Sequence, residues 1–452
     1  MEQFFHLKEN RTTVRTEVIA GITTFMTMAY ILAVNPNLLG KTGMDGGSVF
    51  TATALASAIA SFAMALLANL PFALSAGMGL NAYFTYTVCM GMGYSWEVAL
   101  AAVCVEGLIF IVLSLTNVRE AIFNAIPGEL KLAVSVGIGL FITFIGLQNA
   151  HIVVDGATLV TLFSFKDSVT SGTFSSEGIT VLLALIGMLI TALLVIKNVK
   201  GNILLGILIT WGLGILCQLF GLYVPNPDAR FYSLIPSSLI AMPASVTPTL
   251  FKMDFSDLLS LNFVVVVFSF LFVDIFDTLG TLIGCASKAD MLDKDGKLPR
   301  IKGALLADAI GTTVGAVLGT STITTFVESS SGIAEGGRTG LTSIVVGFLF
   351  LLSLFFSPIF LAIPSFATAP ALIIVGFFMM QQVSKIDWSN MLTAIPSFIC
   401  IFAMPFAYSI SEGIAFGIIS YTVLHLAAGK GKKVTVLMYV LSFIFILKYI
   451  FL

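Results

Sequence analysis

Charge is scarce in this chain. Of 452 residues, only 22 are Lys or Arg and 24 are Asp or Glu, so charged residues make up 10% of the sequence. Soluble domains carry about 25% charged residues, and this composition excludes a soluble fold of such length. The formal net charge of −2 also argues against a nucleic-acid partner, because such partners are bound by a basic surface.

Cysteine and histidine are also rare and scattered. The five cysteines stand singly, and no Cys-x-x-Cys pair or Cys/His cluster accompanies the three histidines. We therefore expect no disulfide, no metal and no bound cofactor. No G-x-x-x-x-G-K-[ST] motif is present, which excludes a built-in ATPase motor. The polar N-terminal stretch does not have the form of a removable signal sequence.

Apolar residues are abundant instead. They make up 58% of the chain, and the mean hydropathy of +1.03 indicates a polytopic helical membrane protein. About 20 residues are needed for each crossing. The sequence predicts fourteen spans, seven on each side of a Pro-rich polar linker at 222–257: 17–36, 50–69, 72–90, 96–116, 128–147, 178–196, 203–221, 258–285, 302–319, 320–336, 339–358, 366–382, 391–409 and 411–428. The apolar tail 433–452 is either a further span or an interfacial helix.

The number of spans in each half predicts an inverted repeat. Seven crossings are odd, so the second half enters the membrane from the opposite side, as in many secondary transporters. With a cytoplasmic N-terminus, every Lys and Arg lies on the cytoplasmic side except Lys41, Lys166, Arg230, Lys252 and Lys448. This agrees with the positive-inside rule. We therefore expect a multi-pass protein of the cytoplasmic membrane with its N-terminus in the cytoplasm.

Two spans in corresponding places of the two halves are irregular. The third contains LPFALSAGMGLNAYF (70–84), and the tenth contains GTSTITTFVESSSGIAEGG (319–337), in which a helix becomes plausible only from about Glu328. Each is expected to be a short extended segment followed by a half-helix. Such backbone occurs at membrane depth only where protein or a wet cavity covers it. Two Gly-rich helices packed closely against neighbours are the alternative, but the matched positions favour a substrate site built from broken helices.

Several carboxylates lie within apolar segments, where ionisable groups are functional by default. Asp277 follows Asp274 by three residues, so both lie on one face of the eighth span. Asp277 is interpreted as a hydrogen-bond acceptor for a planar ligand bearing N–H groups, or as a proton carrier. A structural carboxylate is the alternative, and it suits Asp274 better. Glu106 and Asp308 each stand alone in a span and are expected to be structural.

The two broken spans supply further candidates. Glu328 opens the tenth-span half-helix, where it binds substrate or a proton, or else simply caps the helix. Asn81, in the third-span break, offers both a donor and an acceptor, as the edge of a nucleobase requires. An Asn that packs helices together is the alternative for this residue.

Five segments of the chain resemble the AzgA-like purine permeases. This family transports adenine, guanine and hypoxanthine and belongs to the nucleobase–cation symporter-2 superfamily. The segments are EVIAGITTFMTMAYILAVNP (17–36), ALSAGMGLNAYFTY (73–86), FVDIFDTLGTLIG (272–284), DKDGKLPR (293–300) and ALLADAIGTTVGAVLGTSTITTFVESSSGIAEGGRTGLT (304–342).

The resemblance implies a fourteen-span, all-α fold like that of the bacterial uracil permease, with short antiparallel strands in spans three and ten. A core domain would comprise 1–127 (spans one to four) and 258–365 (spans eight to eleven). A gate domain would comprise 128–257 (spans five to seven and the linker) and 366–452 (spans twelve to fourteen and the tail). The core would carry the substrate across the membrane by an elevator-like movement against the gate.

The resemblance also implies residue roles. Asp277 and Glu328 would grip the base and are the candidates for proton coupling, and Phe326 and Val327 would supply ring packing and backbone contacts. Thr281 stands where the uracil permease has a histidine, so a histidine-based proton relay is doubtful. The full predicted substrate-binding set is Asp277, Glu328, Asn81, Thr281, Phe326, Val327, Gly77, Met78 and Ser329, with Asp274 in support.

These features predict a secondary transporter that imports purine nucleobases with a proton, and not an enzyme. Its partners are a purine base and the lipid bilayer, and a homodimer is compatible with the sequence. An anion exchanger or channel of the same seven-plus-seven architecture is the alternative. A membrane-embedded enzyme using Asp274 and Asp277 to hold Mg²⁺ is a more distant one, because no second Asp-rich motif lies in an apolar segment.

Overall fold

The computed structural model describes residues 2–116, 126–156, 159–226, 231–288, 291 and 298–451. Within these ranges, eleven helices are long and apolar enough to cross a membrane. The shorter apolar helix Met391–Phe406 and two broken segments complete the fourteen predicted spans, so the predicted fold is confirmed. Most of the DKDGKLPR segment (293–300) and Arg230 lie outside the described residues.

The helices follow the predicted spans closely. Spans one to seven are Val14–Met28 with Ile31–Leu39, Gly46–Leu67, Met78–Ala82 with the π-helix Tyr83–Gly91, Trp96–Leu115, Gly128–Asn149, Ile179–Ile196 and Asn202–Leu219. Spans eight to fourteen are Leu261–Lys288, Ile301–Leu318, Ser329–Ala334, Gly340–Ser353 with Ser357–Leu361, Ser365–Met380, Met391–Phe406 and Ile410–Ala427. The apolar tail forms the helix Val436–Phe451, and short helices outside the spans are Glu2–Phe5 and Phe165–Thr170.

Side-chain caps determine where several spans begin. The Asp45 carboxylate accepts a hydrogen bond from the Ser48 N–H at 2.8 Å at the start of span two. Since the first N–H groups of a helix have no partner within it, such a cap stabilises the helix start by about 1 kcal/mol. Spans one, four, eleven and fourteen are capped in the same way by Thr13, Ser95, Thr339 and Ser409.

Four short strands form two antiparallel pairs in the described ranges. Strand β1 (Leu74–Ala76) opens the third span, and β4 (Ile323–Thr325) opens the tenth; the two pair with each other and are buried. This confirms the predicted strands. Strands β2 (Val153–Gly156) and β3 (Leu159–Leu162) form a hairpin between spans five and six, which the sequence analysis did not predict.

The helices pack in two groups. Span nine packs on spans two and four, span two also packs on span eleven, and spans two and nine contact β1 and β4. Span one packs on spans ten and eleven, and span eight packs on span four. Spans five, twelve, thirteen and fourteen pack together, and spans six and seven pack on span twelve. The first group corresponds to the predicted core and the second to the predicted gate, although the domain boundaries stay a prediction.

A polar cluster joins the two groups at one end of the bundle. Lys41, which follows span one, donates to the side-chain oxygen of Asn149 at the end of span five. Tyr86 of the third span donates to the same oxygen at 3.0 Å, and its ring lies 5.9 Å from that of Tyr408. Lys41 also donates to the Tyr86 hydroxyl at 3.1 Å. We call Lys41, Tyr86 and Asn149 the end cluster.

Candidate functional site

The paired strands place irregular backbone in the interior of the protein. The Phe326 N–H donates to the Ala73 carbonyl at 2.9 Å, and the Gly77 N–H donates to the Thr322 carbonyl at 3.1 Å, so pairing extends beyond both strand ends. The Ala73 N–H donates to the Ser329 hydroxyl at 3.0 Å. These bonds satisfy backbone groups that would otherwise be costly at membrane depth.

Gly77 permits the close approach of the two broken spans to span eight. A Cβ atom at Gly77 would lie 2.6 Å from Thr324 Cγ2 and 3.6 Å from Asp277 Oδ2. The first distance is too short for any side chain, so β1 and β4 can pack in this way only because residue 77 is glycine. The second distance places the Asp277 carboxylate beside the point where β1 ends and the third-span half-helix begins.

Glu328 lies at the corresponding junction of the tenth span. It precedes the helix Ser329–Ala334, but its side chain makes no capping bond to that helix, so the capping interpretation is wrong. Its Oε1 instead accepts a hydrogen bond from the Tyr30 hydroxyl at 2.8 Å. Tyr30 lies where span one is interrupted between Met28 and Ile31. Sequence reasoning missed Tyr30, although a lone Tyr in the apolar run of span one was a signal.

Asp277 and Glu328 border open space and lie near each other. Both side chains are partly exposed, as is Thr281, and Val327 is 52% exposed. Asp277 and Glu328 are close enough for their charges to interact. These four residues are the exposed or partly exposed members of the predicted substrate-binding set. We call Asp277, Thr281, Val327 and Glu328 the junction face.

The remaining predicted site residues are buried. Asn81 is fully buried; its side-chain oxygen accepts from the Ser321 hydroxyl, and its amide donates to the Ala76 carbonyl at 3.5 Å. Ser329 is likewise buried and bonded to Ala73. Met78, Phe326 and Gly77 are also buried members of the predicted set. The contacts of Asn81 and Ser329 connect the two broken spans, and direct contact of either side chain with substrate stays a prediction.

Behind the strands lies a buried polar network that the sequence did not reveal. Thr278 Oγ1 lies 2.8 Å from Asp274 Oδ1, 2.9 Å from Asp308 Oδ1 and 2.7 Å from Thr324 Oγ1. Glu106 accepts a hydrogen bond from the Thr322 hydroxyl at 2.8 Å, next to β4. Glu106 and Asp308 stand alone in their own spans, but the fold brings both to the segment that contains β4.

This arrangement suits a polar ligand better than a metal ion. Asp274 is turned towards Thr278, whereas Asp277 lies beside Gly77, so the two carboxylates serve different partners. In the part of the chain that the structure describes, no group of three or more His, Cys, Asp or Glu residues could hold a metal ion. The junction face instead offers two carboxylate acceptors for N–H or O–H donors.

A fourteen-span bundle with seven spans in each half, and with paired broken spans beside intramembrane carboxylates, is the architecture of a secondary transporter. A family model named Xan_ur_permease and described as a permease family matches residues 15–416. The chain belongs to this family, that of the nucleobase–cation symporter-2 proteins. The resemblance seen in the sequence is thereby confirmed.

Two curated relatives match over the whole chain. The guanine/hypoxanthine permease PbuG of Bacillus subtilis (strain 168) is 45% identical over 464 residues, covering 100% of both chains. The adenine permease AdeP of Escherichia coli (strain K12) is 40% identical over 452 residues, covering 100% of this chain and 96% of the relative. Since these relatives are permeases, the chain is a transporter and not an enzyme.

A solved structure shares the fold. The transmembrane domain of the cyanobacterial bicarbonate transporter BicA matches with a TM-score of 0.61 and 15% sequence identity, covering 89% of this chain and 97% of that one. At this identity the likeness shows the fold alone. It agrees with the predicted seven-plus-seven arrangement.

Proposed function

We propose that this protein imports purine nucleobases across the cytoplasmic membrane together with a proton, and that its N-terminus is cytoplasmic. The observation that carries the proposal is the junction face, where Asp277 and Glu328 lie together and partly exposed beside the paired strands. Relatives named as guanine/hypoxanthine and adenine permeases support the choice of purines.

The chemistry of the junction face matches a purine ring. Purine bases carry N–H groups along their edges, and a carboxylate is an acceptor for such donors. Charge-assisted hydrogen bonds of this kind are roughly twice as strong as neutral ones. A ligand without N–H groups in these places would cover the Asp277 and Glu328 carboxylates without offering them a hydrogen bond, at a cost of about 1–3 kcal/mol each. The site therefore selects for N–H donors and against anions.

Proton co-transport follows from the charge at this site. Two neighbouring carboxylates at membrane depth repel each other, and each is costly to keep ionised away from water. A proton bound with the purine, on Asp277 or Glu328, would remove one of these charges before the loaded site moves. The proton is therefore a co-substrate in the proposed cycle, and no other cofactor is required.

Movement of the core group past the gate group is the proposed transport step. The end cluster links the two groups through Lys41 and Asn149, so this contact must break when the core moves. The strand junction lies within the core group and would move with it as one body. Access to the junction face would then alternate between the two sides of the membrane.

Uptake into proteoliposomes tests the proposal. Labelled hypoxanthine, guanine and adenine are supplied separately, with an inward proton gradient and with a protonophore, and with unlabelled uracil, xanthine or bicarbonate as competitors. We expect at least one purine to accumulate only with the gradient, and Asp277→Asn to abolish accumulation. Gradient-independent equilibration would indicate a channel, and strong inhibition by bicarbonate would indicate an anion site. Accumulation that requires a sodium gradient in place of the proton gradient would refute proton coupling.

A further inference from the structure

Thr278 is the centre of a closed polar cluster in the core group. Its hydroxyl oxygen lies within 2.9 Å of Asp274 Oδ1, Asp308 Oδ1 and Thr324 Oγ1. Thr278, Asp274 and Asp308 are 0% exposed, and Thr324 is 1% exposed. The three contacts join span eight, span nine and strand β4 at one atom.

The number of hydrogens available to this cluster is limited. A threonine hydroxyl has one hydrogen to donate and two lone pairs to accept with. Thr278 can therefore donate to only one of its three neighbours, and the other two must donate to it. Thr324 can do so through its own hydroxyl, but an ionised carboxylate has no hydrogen. In every arrangement that keeps all three bonds, Asp274 or Asp308 carries a proton.

The electrostatic surroundings favour this proton. Three described acidic residues lie near the cluster. Asp277 of span eight is close enough to Asp308 and to Glu328 for their charges to interact. Glu106 of span four accepts a hydrogen bond from Thr322, two residues before Thr324. Tyr83 of the third span lies near Glu106. Span two, β1 and β4 contain no titratable residue. The basic residues of spans five, eight and nine, Lys131, Lys288 and Lys302, lie at the ends of their helices. Two ionised aspartates here would be buried like charges, which is strongly unfavourable.

We infer that Asp274 and Asp308 share one bound proton through Thr278, and that this proton holds strand β4 in the position that the substrate site requires. This site is distinct from Asp277 and Glu328. Its role in transport rests on the proposed function. The proton is taken from water and returned to water, with a carboxylate becoming a carboxylic acid and back again.

Strand β4 connects this proton to the junction face. Thr324 pairs with Ser75 of β1 and packs against Gly77, and the chain then continues directly into Val327 and Glu328. Loss of the proton would break the bond between Thr278 and one of the two aspartates, and this would weaken the cluster that anchors Thr324. If purine binds best to the anchored strand, proton and purine must strengthen each other's binding by the same factor. The Asp274–Asp308 pair would then couple proton to substrate without touching the substrate.

Infrared spectroscopy of the purified, substrate-free protein tests the proton directly. We expect a carbonyl-stretch band of a protonated carboxylic acid at neutral pH. Asp274→Asn and Asp308→Asn should each remove this same band, because in either variant the amide donates to Thr278 and the remaining aspartate ionises. Asp277→Asn and Glu328→Gln are matched controls that should retain it. A band that persists in both Asp274→Asn and Asp308→Asn would overturn the inference, whatever the protein transports.

Purine binding measured against pH tests the coupling. If one proton is taken up with the base, wild-type affinity should fall about tenfold per pH unit once the pair ionises. In Asp308→Asn and Asp274→Asn the amide donates at every pH, so the part of the pH dependence that comes from this pair should be lost, and affinity should fall less steeply with pH than in the wild type. Asp308→Ala, which cannot donate, should bind at least about tenfold more weakly at every pH. Unchanged pH dependence in both Asn variants would refute the coupling.

Thr278 provides a second route should the aspartate variants fail to fold. Thr278→Ser keeps the hydroxyl and should keep both the infrared band and the pH dependence. Thr278→Val removes the hydroxyl with little change in volume and should shift the band and reduce the pH dependence. Equal behaviour of the two variants would contradict the proposal. If the wild type binds no purine at all, the proposed function fails, while the infrared result still decides the proton site.

Discussion

The two broken spans have the same backbone plan but contribute different things to the site. In the third span, residues 70–82 contain no ionisable side chain, and the key residue is Gly77, whose missing Cβ makes room for Thr324 and Asp277. In the tenth span, the strand and its continuation contribute hydroxyls and the carboxylate of Glu328. One broken span therefore provides space, and the other provides polar side chains.

This difference has a physical reason. Where two paired strands pack closely against a third element, one backbone position must lack a side chain. Glycine is the residue that allows this close approach. If the third span also carried a carboxylate, the site would contain three charges, the new one beside Asp277 and Glu328. Each charge is costly at membrane depth. The two broken spans thus share the same backbone arrangement but differ in the side chains they contribute.

The largest expected effect comes from removing charge on the tenth span. Glu328→Gln should weaken purine binding by roughly 10- to 100-fold, because a charge-assisted hydrogen bond contributes about 1.5–3 kcal/mol. Equilibrium binding of labelled purine to the purified protein measures this effect. Glu335→Gln, just after the same half-helix, is the matched control and should bind normally, since Glu335 pairs with Lys200 away from the junction face. Normal affinity in Glu328→Gln would remove Glu328 from the site.

The next largest effect should come from filling the space at Gly77 in the third span. Gly77→Ala should destabilise the protein by about 1–3 kcal/mol, as overpacking of a buried site does, and should reduce uptake. Thr324→Ser removes the methyl group that the new Cβ would meet but keeps the hydroxyl, so the double variant should recover most of the lost stability. Thermal unfolding and uptake measure both effects.

A glycine in open space is the control for that substitution. In the part of the chain that the structure describes, no atom lies within 4 Å of a Cβ placed at Gly212 in span seven. Gly212→Ala should therefore leave the protein as stable as before or about 0.5–1 kcal/mol more stable, because alanine favours a helix. If Gly77→Ala behaves in the same way, the close approach at Gly77 does not constrain the site.

A smaller effect should come from the side-chain link between the two broken spans. Asn81→Ala and Ser321→Ala each remove one partner of a buried hydrogen bond and should cost about 1–2 kcal/mol of stability. The double variant should cost clearly less than the sum of the two single variants, because the second change has no bond left to break. If instead Asn81→Ala alone abolishes purine binding in a protein of normal stability, Asn81 contacts the substrate as the sequence predicted.

The smallest expected effect concerns Tyr30, which sequence reasoning missed. Tyr30→Phe removes the donor to Glu328 but keeps the ring that lies 6.5 Å from that of Phe326. Since Glu328 is partly exposed and water can replace the hydroxyl, we expect about a fivefold loss of purine affinity, equivalent to about 1 kcal/mol. Tyr223→Phe, whose hydroxyl donates to the Tyr232 carbonyl in the other helix group, should leave affinity unchanged. Equal affinities for the two variants would show that Tyr30 does not orient Glu328.

The sequence by itself determined the class of protein, the number of spans, the two broken spans and the candidates Asp277 and Glu328. These features depend on local composition: long apolar runs, a glycine or threonine interruption, or a carboxylate within hydrocarbon. Each can be recognised within about 20 residues, the length of one crossing. The family resemblance also rests on contiguous segments of this kind.

Only the tertiary structure decided which side chains serve which partners. Tyr30 reaches Glu328 across 298 positions of the chain, and Thr278 reaches Asp308 across 30. Asn81, predicted to contact a base, bonds to Ser321. Asp308, predicted to be structural and alone in its span, meets Asp274 through Thr278. A hydrogen bond depends on distances of about 3 Å between atoms, and such distances follow from how whole helices pack and not from the local order of residues.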